Sequence, residues 1–126
     1  MGFRTDRQRV HGLGSAKDGT EHWWRQRVTA IALVPLALLF VFTFARNLGA
    51  DFETVRATYA SPFNAIVAIL FILVAFYHLQ LGLQVVIEDY VHGNAARTAA
   101  IVANTLLTWA AALTGVFAVA RIAISA

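Results

Sequence analysis

The sequence predicts an all-α integral membrane protein, a bundle of three transmembrane helices with its amino terminus in the cytoplasm. Hydrophobic residues make up 59% of the 126 residues and charged residues only 13%, against about 25% charged residues in ordinary soluble domains. Three apolar runs approach or exceed the roughly 20 residues that a helix needs to cross the hydrocarbon core. The basic residues are concentrated on one side of these runs.

The apolar runs set the expected boundaries. We expect spans at about 28–45, 62–87 and 98–120, where Pro62 is suited to the first turn of a helix. Residues 1–27 then form a polar cytoplasmic segment ahead of a membrane anchor of residues 28–126. The segment is too long and too polar for the short basic start of a secretory signal, so we expect it to be retained. The runs do not alternate polar with apolar residues, which argues against a β-barrel.

The distribution of Lys and Arg predicts the orientation. Seven of the ten lie before the first span or in the loop between the second and third. They are Arg4, Arg7, Arg9, Lys17, Arg25, Arg27 and Arg97. Basic residues favour the cytoplasmic side, so the amino terminus is expected there. The net charge of +3 is thus typical of a membrane flank and does not indicate nucleic-acid binding. The lack of cysteine excludes disulfides and thiolate-held metal sites within the chain.

His78 is the most informative residue, because an ionisable side chain in the middle of a span is costly and marks a functional candidate. Ala75 and Gly82 lie near its face of the helix, and Asp89 lies only about 20° away at 100° per residue. These small neighbours leave room for a flat macrocycle, and neutral imidazole is a good axial ligand for haem iron. The alternative is a neutral histidine that hydrogen-bonds another helix.

No second histidine is expected at membrane depth. His11, His22 and His92 lie outside the predicted spans. A six-coordinate haem would therefore need its second ligand from another polypeptide or from a second copy of this one.

A second group of candidates lies at the predicted cytoplasmic end of the second span. Glu88 and Asp89 oppose the helix dipole there, and Arg25 and Arg27 on the same side are candidates to pair with them or with haem propionates. The alternative is that all four are solvated charges at the membrane interface. Tyr90 lies about 18 Å from His78 along the helix. Its phenol suits a hydrogen bond to a quinone carbonyl, although an ordinary interfacial aromatic is the commoner case.

Three amide side chains lie within or near the second and third spans. We expect Gln80, Gln84 and Asn104 to form hydrogen bonds between helices.

The segment His78–Gly82–Asp89–Tyr90, with Arg27 and the following Val-Thr-Ala-Ile-Ala, resembles the hydrophobic membrane anchor subunit of succinate dehydrogenase, the D chain of respiratory complex II. The resemblance covers nearly the whole chain. The amino-terminal segment with Trp23 and Trp24 looks like the bacterial branch related to mitochondria. The family therefore implies a bacterial inner membrane location, equivalent to the mitochondrial inner membrane.

The resemblance implies a role for each matching residue. His78 would be an axial ligand of haem b, shared with a second, cytochrome b-type anchor subunit, with clearance at Gly82. Tyr90 would hydrogen-bond ubiquinone, Asp89 would support that site, and Arg27 would approach the haem propionates or the quinone. A flavoprotein subunit and an iron–sulfur subunit would carry out succinate oxidation and electron transfer, so no catalytic residue is expected in this chain.

Two other functions compete with this interpretation. The chain would be a small transporter or channel subunit if His78 relayed protons, or a structural anchor of another membrane complex if His78 served packing alone. The sequence leaves open the quinone type and the choice between succinate oxidation and fumarate reduction.

Overall fold

The computed structural model describes Arg7 and residues 18–125, and these residues form three long helices and one short helix. The helices are α1 (Asp18–Arg46), α2 (Phe52–Ala60), α3 (Pro62–Tyr90) and α4 (Asn94–Ile124). Three of them are long and apolar enough to cross a membrane, at Gly19–Arg46, Pro62–Tyr90 and Asn94–Ile124. The predicted all-helical fold with three spans is confirmed. Most of the predicted amino-terminal segment lies outside the described residues, and the orientation stays a prediction.

The first helix begins well before the apolar run that predicts it. It starts at Asp18, whereas the uncharged run starts at Val28. Long basic side chains reach water from a helix that extends into the headgroup layer, so backbone helicity and apolar character need not end together. Trp23 and Trp24 stack at 6.2 Å in this first part of the helix, where amphipathic rings favour the membrane interface.

A short helix that the sequence analysis did not predict joins the first two spans. Gly49 adopts a positive φ of 80° in the turn after α1, a conformation that glycine allows at little cost. Asp51 then caps α2 by accepting a hydrogen bond from the Thr54 backbone N–H at 2.9 Å. Hydrogen bonds from the side chain and backbone of Thr54 lower the pKa of Asp51. Arg56 of α2 donates to the carbonyl of Ser125, which ties this loop to the end of α4.

Helix α3 is the centre of the fold. It packs against α1 on one side and α4 on the other, and within residues 18–125 the backbones of these two outer helices come no closer than 8 Å between Cα atoms. Phe40 of α1 stacks on Phe71 at 4.5 Å, and Trp109 of α4 lies 6.4 Å from Tyr77.

The residues buried between these helices are mostly small, whereas the large apolar side chains point outward. The buried apolar residues are Ala65, Val67, Ala68, Leu81 and Ala112. Leu38 and Leu107, by contrast, are 70% and 69% exposed. This pattern is typical of membrane helices, which associate through close backbone approach because lipid already satisfies large apolar side chains.

Amide side chains connect α3 to α4, as predicted for two of the three. The side-chain amide of Asn104 donates to the Gln80 carbonyl at 3.0 Å, and the amide of Gln80 donates to Thr105 Oγ1 at 3.3 Å. The prediction for Gln84 is wrong, because its amide donates to Glu88 in the same helix at 2.8 Å. A carboxylate four residues away on the same face is a closer acceptor than the neighbouring helix.

Helices α3 and α4 pack closely at Gly115. A Cβ atom added there would lie 3.3 Å from Cγ2 of Ile72 and 3.4 Å from its Cδ1. The absence of a side chain at this position is therefore what lets the two helices approach.

We expect Gly115→Leu to lower the free energy of unfolding by about 1–3 kcal/mol, the usual cost of overpacking. The measurement is an SDS titration of the purified chain in bicelles, followed by tryptophan fluorescence. Ala110→Leu on the exposed face of α4 is the matched control and should have little effect. Adding Ile72→Ala to Gly115→Leu should recover part of the loss. Equal destabilisation by Gly115→Leu and Ala110→Leu would contradict the assignment.

Candidate cofactor site

His78 lies in the middle of α3, and both of its ring nitrogens face α1. Its Nδ1 is 2.8 Å from Oγ1 of Thr29, and its Nε2 is 3.3 Å from the side-chain amide nitrogen of Gln26. The imidazole is partly buried and Thr29 is buried. Both partners were missed by the sequence analysis.

Thr29 is fixed by its own helix as well as by His78. Its Oγ1 lies 2.9 Å from the carbonyl oxygen of Arg25 and 3.0 Å from that of Gln26, one turn earlier in α1. A threonine hydroxyl commonly returns its proton to the preceding turn of a helix. The oxygen is thereby held at a defined position on the face that meets α3.

Gly82 and Gln26 define the space beside the imidazole. A Cβ atom built on Gly82 would meet only the Gln26 amide nitrogen, at 3.5 Å. The Gln26 carbonyl oxygen, Oε1, is buried without a hydrogen-bond partner within the described part of the chain. An unpaired buried amide oxygen is costly. Within the described residues, the end of the flexible Gln26 side chain is the only group that a Cβ atom at Gly82 would meet.

These residues suit a haem ligand site on three grounds. The imidazole supplies a nitrogen donor at membrane depth, as haem iron requires. The Nδ1 atom has a hydrogen-bond partner in Thr29, which orients the ring. Among the described residues, the space beside Gly82 is occupied by the Gln26 side chain alone. Its amide oxygen has no hydrogen-bond partner there, and rotation about its side-chain bonds would clear the space.

The basic residues at the start of α1 have other partners than those expected. Arg25 forms an ion pair with Glu21 and reaches the Tyr77 hydroxyl at 3.5 Å. Arg27 lies on an exposed face, with its guanidinium 5.4 Å from the centre of the Trp23 ring. Within residues 18–125 neither arginine pairs with Glu88 or Asp89.

Asp89 and Tyr90 end α3 and are exposed, Tyr90 to 77%. The structure therefore brings together His78, Gly82, Gln26 and Thr29. Asp89, Tyr90 and Arg27 are exposed and have no contact with His78 among the hydrogen bonds and ion pairs of the described residues.

A second histidine shares the inward face of α1. His22, Gln26 and Thr29 are spaced four and three residues apart, which places them on one side of a helix. His22 is half-buried, and its Nε2 has no hydrogen-bond partner in the described structure. His22 lies in the part of α1 that precedes the apolar run, and its position relative to the membrane stays a prediction. The i, i+4, i+7 spacing of these polar residues was the available signal.

Comparisons with known proteins agree on one family. The family model of the succinate dehydrogenase/fumarate reductase transmembrane subunit matches residues 1–117. The chain is similar to the succinate dehydrogenase hydrophobic membrane anchor subunit of Paracoccus denitrificans, with 37% identity over 100% of this chain and 97% of that protein. It is 36% identical to the same subunit of Rickettsia bellii (84% of this chain, 85% of that protein) and 38% identical to the membrane anchor subunit of Reclinomonas americana (68% and 73%). No solved structure matches the chain significantly.

Proposed function

The chain belongs to the succinate dehydrogenase/fumarate reductase transmembrane subunit family, and we propose that it anchors a succinate:ubiquinone oxidoreductase in the inner membrane, holds haem b and helps to form the ubiquinone site. The match along residues 1–117, with relatives named as membrane anchor subunits, carries the anchor assignment. The geometry around His78 supports the haem assignment.

The anchor needs partners to work. The chain has no cysteine, so it supplies no thiolate for an iron–sulfur cluster. A flavoprotein subunit and an iron–sulfur subunit would carry the succinate chemistry and dock on the side where the basic residues collect. A second anchor subunit, of the cytochrome b type, would supply the other axial ligand of the haem.

His78 would hold the haem iron. Thr29 would orient the imidazole of His78, and Gly82 would leave room for the haem. When bound, the haem supplies one-electron redox chemistry. The residues of this chain bind and orient it, and the apolar helices around the site exclude water. Arg27 remains a candidate for a haem propionate or for the quinone site, from its exposed face beside Trp23.

The proposed quinone residues lie at the end of α3, about 18 Å along the helix from His78. The exposed Tyr90 hydroxyl would donate a hydrogen bond to a quinone carbonyl, because the side chain projects from the end of α3. The carboxylate of Asp89 precedes it and would support the tyrosine and the local charge. The docked subunits would cover both exposed residues and supply the other walls of the quinone site, so the site would be complete only in the complex.

We expect His78→Ala to remove or strongly perturb the low-spin b-type spectrum of the complex, because the iron loses an axial nitrogen. The measurement is a reduced-minus-oxidised spectrum of the complex purified through a tag on this chain, normalised to flavin. His92→Ala is the matched control, since His92 is exposed between α3 and α4. An unchanged spectrum in His78→Ala would remove the ligand assignment.

We expect Gly82→Leu to reduce haem content several-fold while the complex still assembles. A leucine would fill the space that only the Gln26 side chain occupies, and that side chain can move. Gly82→Ala is the control, because its methyl group would make ordinary contact at 3.5 Å and should retain most of the haem. The readout is the haem-to-flavin ratio, and full haem content in Gly82→Leu would rule out the clearance role.

We expect Tyr90→Phe to slow ubiquinone reduction by about two- to tenfold, the factor that corresponds to one net hydrogen bond. Succinate oxidation with a soluble artificial acceptor should be unaffected, because that assay bypasses the quinone site. Tyr59→Phe in α2 serves as the control for loss of a phenol elsewhere. Equal loss of both activities in Tyr90→Phe would argue against a quinone role.

A further inference from the structure

The contacts of Thr29 indicate which ring nitrogen of His78 carries the proton. The single hydroxyl proton of Thr29 has two carbonyl oxygens within 3.0 Å, those of Arg25 and Gln26. Both carbonyl oxygens are acceptors only, and a threonine hydroxyl commonly donates to the preceding turn of its own helix, so we place the proton there. The Oγ1 atom then meets Nδ1 of His78 at 2.8 Å as an acceptor, and a close contact between them requires the proton to be on Nδ1.

The second ring nitrogen leads to the same tautomer. Its neighbour is the amide nitrogen of Gln26, at 3.3 Å. With the amide in this orientation its nitrogen can only donate, so Nε2 of His78 accepts and carries the lone pair. If Oε1, which has no hydrogen-bond partner among the described residues, were turned toward Nε2, the proton would lie on Nε2 instead. The Thr29 contact and this orientation of the Gln26 amide are both consistent with an imidazole protonated at Nδ1 and with its lone pair on Nε2.

We propose that Thr29 is the positioning residue that holds His78 in this tautomer, so that Nε2 is the nitrogen that ligates the haem iron, and that the Gln26 amide occupies Nε2 until the haem displaces it. The second half of this inference rests on the proposed haem function, whereas the tautomer itself does not. The hydrogen bond from Nδ1 to Thr29 also increases the basicity of the ligand, as partners of metal-bound histidines do.

The tautomer is measured without haem. The full-length chain, labelled with ¹⁵N in histidine and placed in lipid nanodiscs, gives a two-bond ¹H–¹⁵N correlation pattern that identifies the protonated nitrogen, with His78→Ala to assign the signal. We expect the Nδ1–H form in the wild type. Thr29→Val, which keeps the shape and removes the hydroxyl, should lower the ratio of Nδ1–H to Nε2–H by about tenfold. Thr29→Ser should preserve it.

The consequence for the metal is measured in the assembled complex. Thr29→Val should raise the midpoint potential of the haem and shift its low-spin electron paramagnetic resonance signals, because a less basic imidazole stabilises ferric iron less. Thr29→Ser should restore both. A merely structural role of Thr29 would change stability and leave the potential and the resonance signals where they are.

The outcomes separate the two levels of the inference. An Nε2–H form in the wild type, or an unchanged tautomer in Thr29→Val, overturns the role of Thr29. A confirmed tautomer in a complex without haem rejects the proposed haem function and leaves the positioning of His78 standing. A haem potential that is identical in Thr29→Val and the wild type overturns the tuning of the ligand.

Discussion

The contact between Thr29 and His78 is the constraint on which the arrangement of α1 against α3 depends. Inside hydrocarbon a polar group without a partner costs several kcal/mol, so an imidazole in the middle of α3 has to meet a polar side chain from another helix. The 2.8 Å contact places Thr29 of α1 opposite His78 of α3. With that register, Phe40 falls on Phe71 and Arg25 reaches Tyr77.

The two faces of α3 differ in role: one packs against α4, and the other presents the candidate ligand residues to α1. Toward α4 it presents small residues and an amide network, with Gly115 received against Ile72 and Asn104 bonded to the Gln80 carbonyl. Close packing of this kind makes a rigid pair of helices. Toward α1 it presents His78 and Gly82, with a glutamine side chain between the helices. A ligand site benefits from this division, since the chemistry lies on one face of a helix that is held firmly by the other.

Hydropathy predicts the parts of this molecule that lipid imposes, and it does not predict rotation. The three spans, the depth of His78 and the bonding of Gln80 and Asn104 follow from the cost of polar groups in hydrocarbon. Thr29 and Gln26 were missed because apolar runs do not specify which face of α1 meets α3. The short helix α2 has no long apolar run, and Gln84 found a nearer acceptor in Glu88. Helix α1 begins at Asp18, ahead of the apolar run, because helicity continues through charged residues at the interface.

The positions of the candidate residues explain why such a chain works as a subunit. His78 faces the groove between α1 and α3, Arg27 lies over Trp23 on an exposed face, and Tyr90 projects from the end of α3. A single ligand cannot contact all three, because Tyr90 and His78 are about 18 Å apart along the helix. The proposed haem and quinone therefore occupy different levels, each bounded by this chain on one side only. The remaining walls have to come from neighbouring polypeptides, so the same exposed residues that leave the isolated chain incomplete are those through which the assembled enzyme would be built.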